Sequence, residues 1–199
     1  MNLFTRLARQ FQAMRHERGA QRALARDEFG EAAAHARAFC ELEPDNPHAH
    51  YLLALVYVQG GRHAEALPHL ERAARHWPDD APTFYALGVC HDYLDEPRAA
   101  IAAYRRTLAL APHWVIVLKH IGRCCYRLGD TRGAEQALTR YCAEAPEDKE
   151  AHDLLGYVSY RQGHLRLAYG HYAQASHLDP LNPQLERNAR LLYRRSATS

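Results

Sequence analysis

The sequence predicts an all-α solenoid, a stack of about five helix pairs closed by one further helix. Three observations carry that prediction. Pro44, Pro78, Pro112, Pro146 and Pro180 recur every 34 residues, and a period of about 20–50 residues marks stacked units rather than one closed core. Ala32, Ala66, Ala100, Ala134 and Ala168 keep the same step. So do Leu53, Leu87, Ile121 and Leu155, each followed by a small residue: Ala54, Gly88, Gly122 and Gly156.

Each element follows from that frame. Residues 1–12 read as a basic amphipathic helix that runs on into the first repeat. Leu3, Phe4, Leu7, Ala8, Phe11 and Met14 form an apolar stripe at three-and-four spacing, with Arg6, Arg9 and Arg15 off it. Residues 13–46 form a degenerate first unit, in which Gly19, Ala20 and Ala23 take the packing places. Its second helix runs from about Phe29 to Leu42 and stops before Pro44, because a residue preceding proline is pushed out of the helical region. Residues 47–80 are the most regular unit, broken at Gly60-Gly61 between helices near 48–59 and 63–76. Small residues where two helices cross, with larger ones beside them, let the pair pack closely. Residues 81–114 turn at Asp95-Glu96-Pro97, and residues 115–148 at Gly129-Asp130-Thr131. Phe39 and Tyr141 are bulky at a register that is small in the sibling units. Residues 149–182 turn at Gly163. Residues 183–199 give a C-terminal capping helix and tail, with Ala189, Leu192 and Tyr193 toward unit five and Arg187, Arg190, Arg194 and Arg195 wet. Ala197-Thr198-Ser199 are expected to fray.

These residues resemble the tetratricopeptide repeat family over roughly residues 13–195, best at Phe84, Leu87-Gly88, Ala100, Tyr104 and Pro112. The resemblance implies antiparallel helix pairs in a right-handed superhelix. It also implies a concave groove lined by the first helix of each pair, holding peptides or partner proteins without a catalytic centre. One fold serves many functions, so no partner is named by it.

Aligning the units on their prolines gives the expected groove face. The candidate peptide- or partner-binding residues are Tyr51, Leu55, Tyr85, Val89, Tyr93, Lys119, Arg123, Tyr126, Arg127, Tyr157, Tyr160 and Arg161. Tyrosine gives rigid contact area with a polar tip. Lys119, Arg123 and Arg127 share one helix side, and like charges so spaced cost about 0.2–0.5 kcal/mol per pair, which stability alone does not favour. With Arg161 they form an anion-accepting patch for an acidic segment or a C-terminal carboxylate. The alternative is a solvated helix side whose arginines pair with Asp92, Asp153 and Glu150. The carboxylate-gripping asparagines of some family members are absent.

The function expected is a non-catalytic protein-interaction adaptor that takes an extended peptide or partner helix. A chaperone-like holder of a secreted or assembling client is one alternative. A self-assembling scaffold driven by the N-terminal helix is another. That helix can cap unit one, pair with a second copy or partner, or touch an anionic membrane through residues 1–18. Residues 1–26 carry six arginines against Glu17 alone, while the rest is mildly acidic, so no broad nucleic-acid face is expected.

No small-molecule substrate, cofactor, metal site or catalytic residue is expected. There is no HExxH, glycine-rich phosphate loop or CxxC. His48 and His50 diverge on a helix, as do His171 and His177, so the fourteen histidines read as surface or packing residues. The five cysteines, odd in number, read as reduced structural thiols. No apolar run reaches the ~18 residues of a membrane span and the N-terminus lacks a signal pattern, so a cytoplasmic chain is the default expectation.

Overall fold

The structure, a computed structural model, describes residues 3–196, with side chains through Tyr193. It is all-helical: α1 (Leu3–Leu24), α2 (Phe29–Leu42), α3 (Pro47–Gln59), α4 (His63–His76), α5 (Ala81–Tyr93), α6 (Pro97–Leu110), α7 (Ile116–Arg127), α8 (Thr131–Glu144), α9 (Lys149–Arg161), α10 (Leu165–Leu178) and α11 (Pro183–Ser196). The chain divides between Ala99 and Ala100 into two compact units. In the first, α1 through α5 pack each on the next, with lighter contact of α1 with α3 and α3 with α5. In the second, α7 through α11 do the same, with lighter contact of α7 with α9. Within each unit these helices rest on their sequence neighbours, which is the packing plan of an α-solenoid.

The periodic small residues explain that packing. Ala32, Ala66, Ala100, Ala134 and Ala168 are all wholly buried, and Leu53, Leu87, Ile121 and Leu155 fill the space beside the crossings. At Gly122 a Cβ would lie 2.6 Å from Leu138 Cγ, so α7 and α8 approach too closely there for any side chain while Leu138 keeps its place. Phe39 and Tyr141 are accommodated as buried residues. In the second unit Leu185, Ala189 and Leu192 of α11 close the core against Ala168, Tyr172 and Ala175. Tyr193 is 59% exposed, its ring 5.5 Å from that of Tyr169.

The turns repeat in finer detail than the sequence reading anticipates. Between the helices of each pair one residue takes a left-handed backbone: Asp27, Gly61, Asp95, Gly129 and Gly163, with φ of 59°, 72°, 62°, 76° and 81°. They are spaced by the same 34 residues. Glycine takes this conformation without a Cβ penalty, and aspartate is among the few other residues that tolerate it. Asp27 is exposed, so Asp27→Gly is expected to relieve about 1 kcal/mol of backbone cost and raise the melting temperature by about 2–4 °C. A lower melting temperature would show that the carboxylate contributes more to the turn than its backbone costs.

The first-helix caps also recur at this step. Asn46, Asp80, Asp148 and Asn182 each accept a backbone N–H, from His48, Thr83, Ala151 and Gln184. Trp114 holds the equivalent place and has no acceptor to offer. There the chain makes tight turns from Trp114 to Leu118 and α7 starts only at Ile116.

The N-terminal helix departs from the capping expectation. α1 is continuous, but residues 3–12 are exposed throughout. Within that stretch Arg9 Nε donates to the Leu42 carbonyl at 2.6 Å. The reason is geometric. At about 100° per residue, Ala13, Ala20 and Ala23, the residues α1 buries, lie on the side opposite Leu3, Phe4, Leu7, Phe11 and Met14. The two apolar faces of one straight helix cannot both meet α2. Residues 1 and 2, the tail Ala197-Thr198-Ser199 and the side chains of Arg194 and Arg195 lie outside the described residues.

Candidate functional site

The second unit gathers seven of the candidate residues on α7 and α9. Tyr126 and Tyr157 meet edge to face, centroids 5.5 Å apart. Arg161 Nη1 donates to Tyr157 Oη at 3.3 Å, and its guanidinium carbon lies 5.9 Å from that ring. The Arg161 bond holds the Tyr157 hydroxyl below its ordinary pKa, with Tyr126 contributing. One turn on, Tyr160 is 38% exposed. A cavity of about 350 Å³ opens beside them, lined by Tyr157, Tyr160 and Tyr172 and by Gln184, Asn188 and Leu191 of α11. Burial, with Asp153 nearby, pushes the Tyr172 hydroxyl up to about 12, so it stays protonated. The walls are aromatic and aliphatic, and the amides of Gln184 and Asn188 supply donors and acceptors at one edge.

The α11 contribution was missed by the sequence reading, which gives α11 a capping role only. Extending the 34-residue register one step further finds it: Leu191 falls at the register of Tyr157, and Gln184 at that of Glu150. Arg123 and Arg127 are exposed on α7.

Lys119 is engaged by two carboxylates. Its ammonium donates to Asp148 Oδ2 at 2.8 Å and Glu150 Oε2 at 2.9 Å. Burial opposes the Lys119 charge, but those two bonds outweigh it and its pKa is raised. Glu150 was expected to pair with the arginines and not with Lys119, and Asp148, 29 residues away, was not expected as a partner. Asp148 also accepts from Tyr141 Oη at 2.8 Å while its other oxygen caps α9. Burial would raise that carboxyl, yet the three donors hold it below its ordinary value. Asp92, anticipated as an ion partner of Arg161, is buried. Arg161 turns to Tyr157 instead, and burial raises the Asp153 carboxyl.

In the first unit Tyr51, Leu55, Tyr85 and Val89 are half-buried on α3 and α5. The Tyr51 ring stands edge-on to Trp77 at 6.1 Å. Tyr93 is 71% exposed, but its ring lies flat on His63 at 4.2 Å, at the head of α4.

The histidines are organised more than spacing within a helix reveals. Three pairs, each 19 residues apart, join the two helices of a unit: His16–His35, His50–His69 and His152–His171, with Nδ1–Nδ1 distances of 3.1, 2.9 and 3.3 Å. The carbonyls of Pro44 and Pro146 accept from Nε2 of His50 and His152 at 2.9 and 3.1 Å. That fixes the tautomers. With the proton on Nε2, the Nδ1 of His50 and His152 accepts from the Nδ1–H of His69 and His171. Units three and four place Phe84 with Ala103 and Leu118 with Ala137 at the same registers.

Among the described residues no group of three or more His, Cys, Asp or Glu is placed to hold a metal ion. The five cysteines form no disulfide among the described residues, and burial pushes the thiols of Cys40, Cys90 and Cys142 up to about 11, which makes them poor nucleophiles. No helix of the described chain is long and apolar enough to cross a membrane.

Comparison with known proteins agrees with this architecture. One tetratricopeptide repeat model matches residues 45–113 and a second matches residues 93–156, together more than half of the chain. The chain belongs to the tetratricopeptide repeat family. Among solved structures it resembles YrrB, described as a tetratricopeptide protein with an unusual peptide-binding site, at 21% identity and a TM-score of 0.80, covering 95% of this chain and 98% of that one. MamA from Desulfovibrio magneticus RS-1 aligns at 18% identity and TM-score 0.80, covering 86% and 97%. Anaphase-promoting complex subunit 3 of Schizosaccharomyces pombe is 24% identical over 155 residues, 78% of this chain. The chain spans only 23% of that relative's length. Tetratricopeptide proteins are generally non-catalytic interaction modules that bind other proteins or peptides.

Proposed function

We propose that this tetratricopeptide protein is a non-catalytic adaptor that holds an extended peptide or partner helix on the tyrosine-lined face of α9 and α11. The observation that carries the reading is the cavity between Tyr157, Tyr160, Tyr172 and Leu191. It combines apolar walls with amide groups, the makeup of a peptide side-chain pocket, and the Arg161 guanidinium is bonded to Tyr157 of its lining. Arg161, held by Tyr157, supplies the anion-accepting element, for an acidic residue or a terminal carboxylate. Lys119 is tied to Asp148 and Glu150 and serves to orient α9. Tyr51, Leu55, Tyr85 and Val89 of the first unit offer a second apolar face of the same register. The peptide-binding description of YrrB supports the class of ligand.

The test uses a phage-displayed random peptide library panned on the full chain. Enriched clones are then bound to wild type, to Tyr160→Ala/Leu191→Ser and to Arg161→Glu, after circular dichroism shows equal helix content. Truncating contact anchors costs about 1–2 kcal/mol or more, so the double variant is expected to lose roughly tenfold or more in affinity. Arg161→Glu should select against the acidic clones. If no clone is enriched, or the clones bind all three proteins alike, the peptide face is not here.

A further inference from the structure

We propose that the projecting half of α1 docks on an anionic lipid surface. The inference is independent of the peptide face, since it concerns a different helix in the other unit. Leu3, Phe4, Phe11 and Met14 are 68%, 80%, 67% and 43% exposed, and Leu7 41%. They make one stripe about three turns long on a helix whose opposite side already packs on α2. Nothing in the described chain covers them.

Charge selects the occupant. Arg6, Arg9, Arg15, Arg18 and Arg22 are all exposed on α1, and the single acid of the helix, Glu17, accepts from His48 Nε2 at 3.0 Å. The helix therefore faces outward as a cation. Arg18 and Arg22 also continue the line of the apolar stripe toward the body, with Arg15 beside them. A second copy pairing through the same face would set arginines against arginines, or bury them under its own apolar residues. An anionic headgroup layer takes both halves of the face. The leading turns sink among the acyl chains, and the arginine stems lie along the boundary with their guanidinium groups at the phosphates. At 1.5 Å per residue the stripe is about 18 Å long, too short to cross a hydrocarbon core of about 30 Å. It would lie at the interface.

The experiment is flotation of the full chain with phosphatidylcholine vesicles, with and without phosphatidylserine, at low and high salt. Wild type should float only with the phosphatidylserine vesicles and be released by salt. Phe4→Ala/Phe11→Ala and Arg15→Glu/Arg18→Glu should each lose about tenfold or more in partitioning. All four side chains are exposed, so the variants should melt as wild type does. Any one of three results would overturn the proposal. They are no flotation of the wild type, equal binding to neutral vesicles, and flotation unchanged in the Phe4/Phe11 variant. Light scattering of the same samples identifies the other occupant, since a wild-type dimer that does not float and becomes monomeric in the Phe4/Phe11 variant assigns the stripe to a second copy.

Discussion

Lowering the pH from about 7.5 to about 5.5, across the ordinary range of histidine, is expected to destabilise the protein. The cause is the paired histidines. His69 is held below its ordinary pKa by burial first, then by the nearby His50 and the Arg72 guanidinium. His171 is held down by burial and His152, with Glu135 acting the other way. Because folded values are depressed, the unfolded chain binds more protons below about pH 6.5. Stability is therefore full above that value and is lost as pH falls through it toward the folded values. Each linked histidine can remove at most about 1.4 kcal/mol per pH unit. The sibling units indicate the control. His50→Phe/His69→Ala with His152→Leu/His171→Ala copies Phe84/Ala103 and Leu118/Ala137, and should flatten most of the melting-temperature slope. A residual slope is expected from His63, which burial also holds down. Equal slopes in the two proteins would show that the pairs do not carry the acid sensitivity.

Asp148→Ala is expected to cost about 2–4 kcal/mol. The side chain caps α9, and losing a cap alone costs about 1 kcal/mol. It is also the acceptor for the hydroxyl of Tyr141, a residue only 6% exposed, and a buried donor left without its partner adds about 1–3 kcal/mol. Lys119 would keep Glu150, which is largely exposed. Asp148→Asn offers one oxygen in place of two, so it can keep the cap but sets an amide NH2 donor toward Tyr141 and Lys119, and it should recover only the cap's share of the alanine cost, about 1 kcal/mol. Urea melts of the three proteins decide this, and equal costs for Asn and Ala would assign the whole effect to the oxygen that Tyr141 and Lys119 share and none to the cap.

The helices were legible because proline and glycine punctuate each period at fixed places. The left-handed turns were only half legible. Gly61, Gly129 and Gly163 announce themselves, whereas Asp27 and Asp95 do so only when aligned with them. The histidine pairs were hidden for a related reason. Spacing was judged within one helix, but His50 meets His69 across the pair. Lys119 shows the limit of reading a face residue by residue. Its charge looked available because its main partner is a cap on the helix after next. The α1 stripe was visible as a stripe, but its direction was not. Only Ala13, Ala20 and Ala23 fix which side of the helix is already taken.

A chain whose turns and caps recur at one step can change length only in whole periods. Removing residues 47–80 would join Asn46 to Ala81, leaving an asparagine cap ahead of the new first helix, as it stands ahead of α3. Gly61 would leave with its period, and Asp95 would supply the next left-handed turn. A deletion of any other length would put a side chain without an acceptor at a helix start, or a bulky residue where the backbone must turn left-handed. Tolerance of insertion and deletion in this molecule is thus quantised in units of 34 residues, a property of its backbone register and not of any sequence within it.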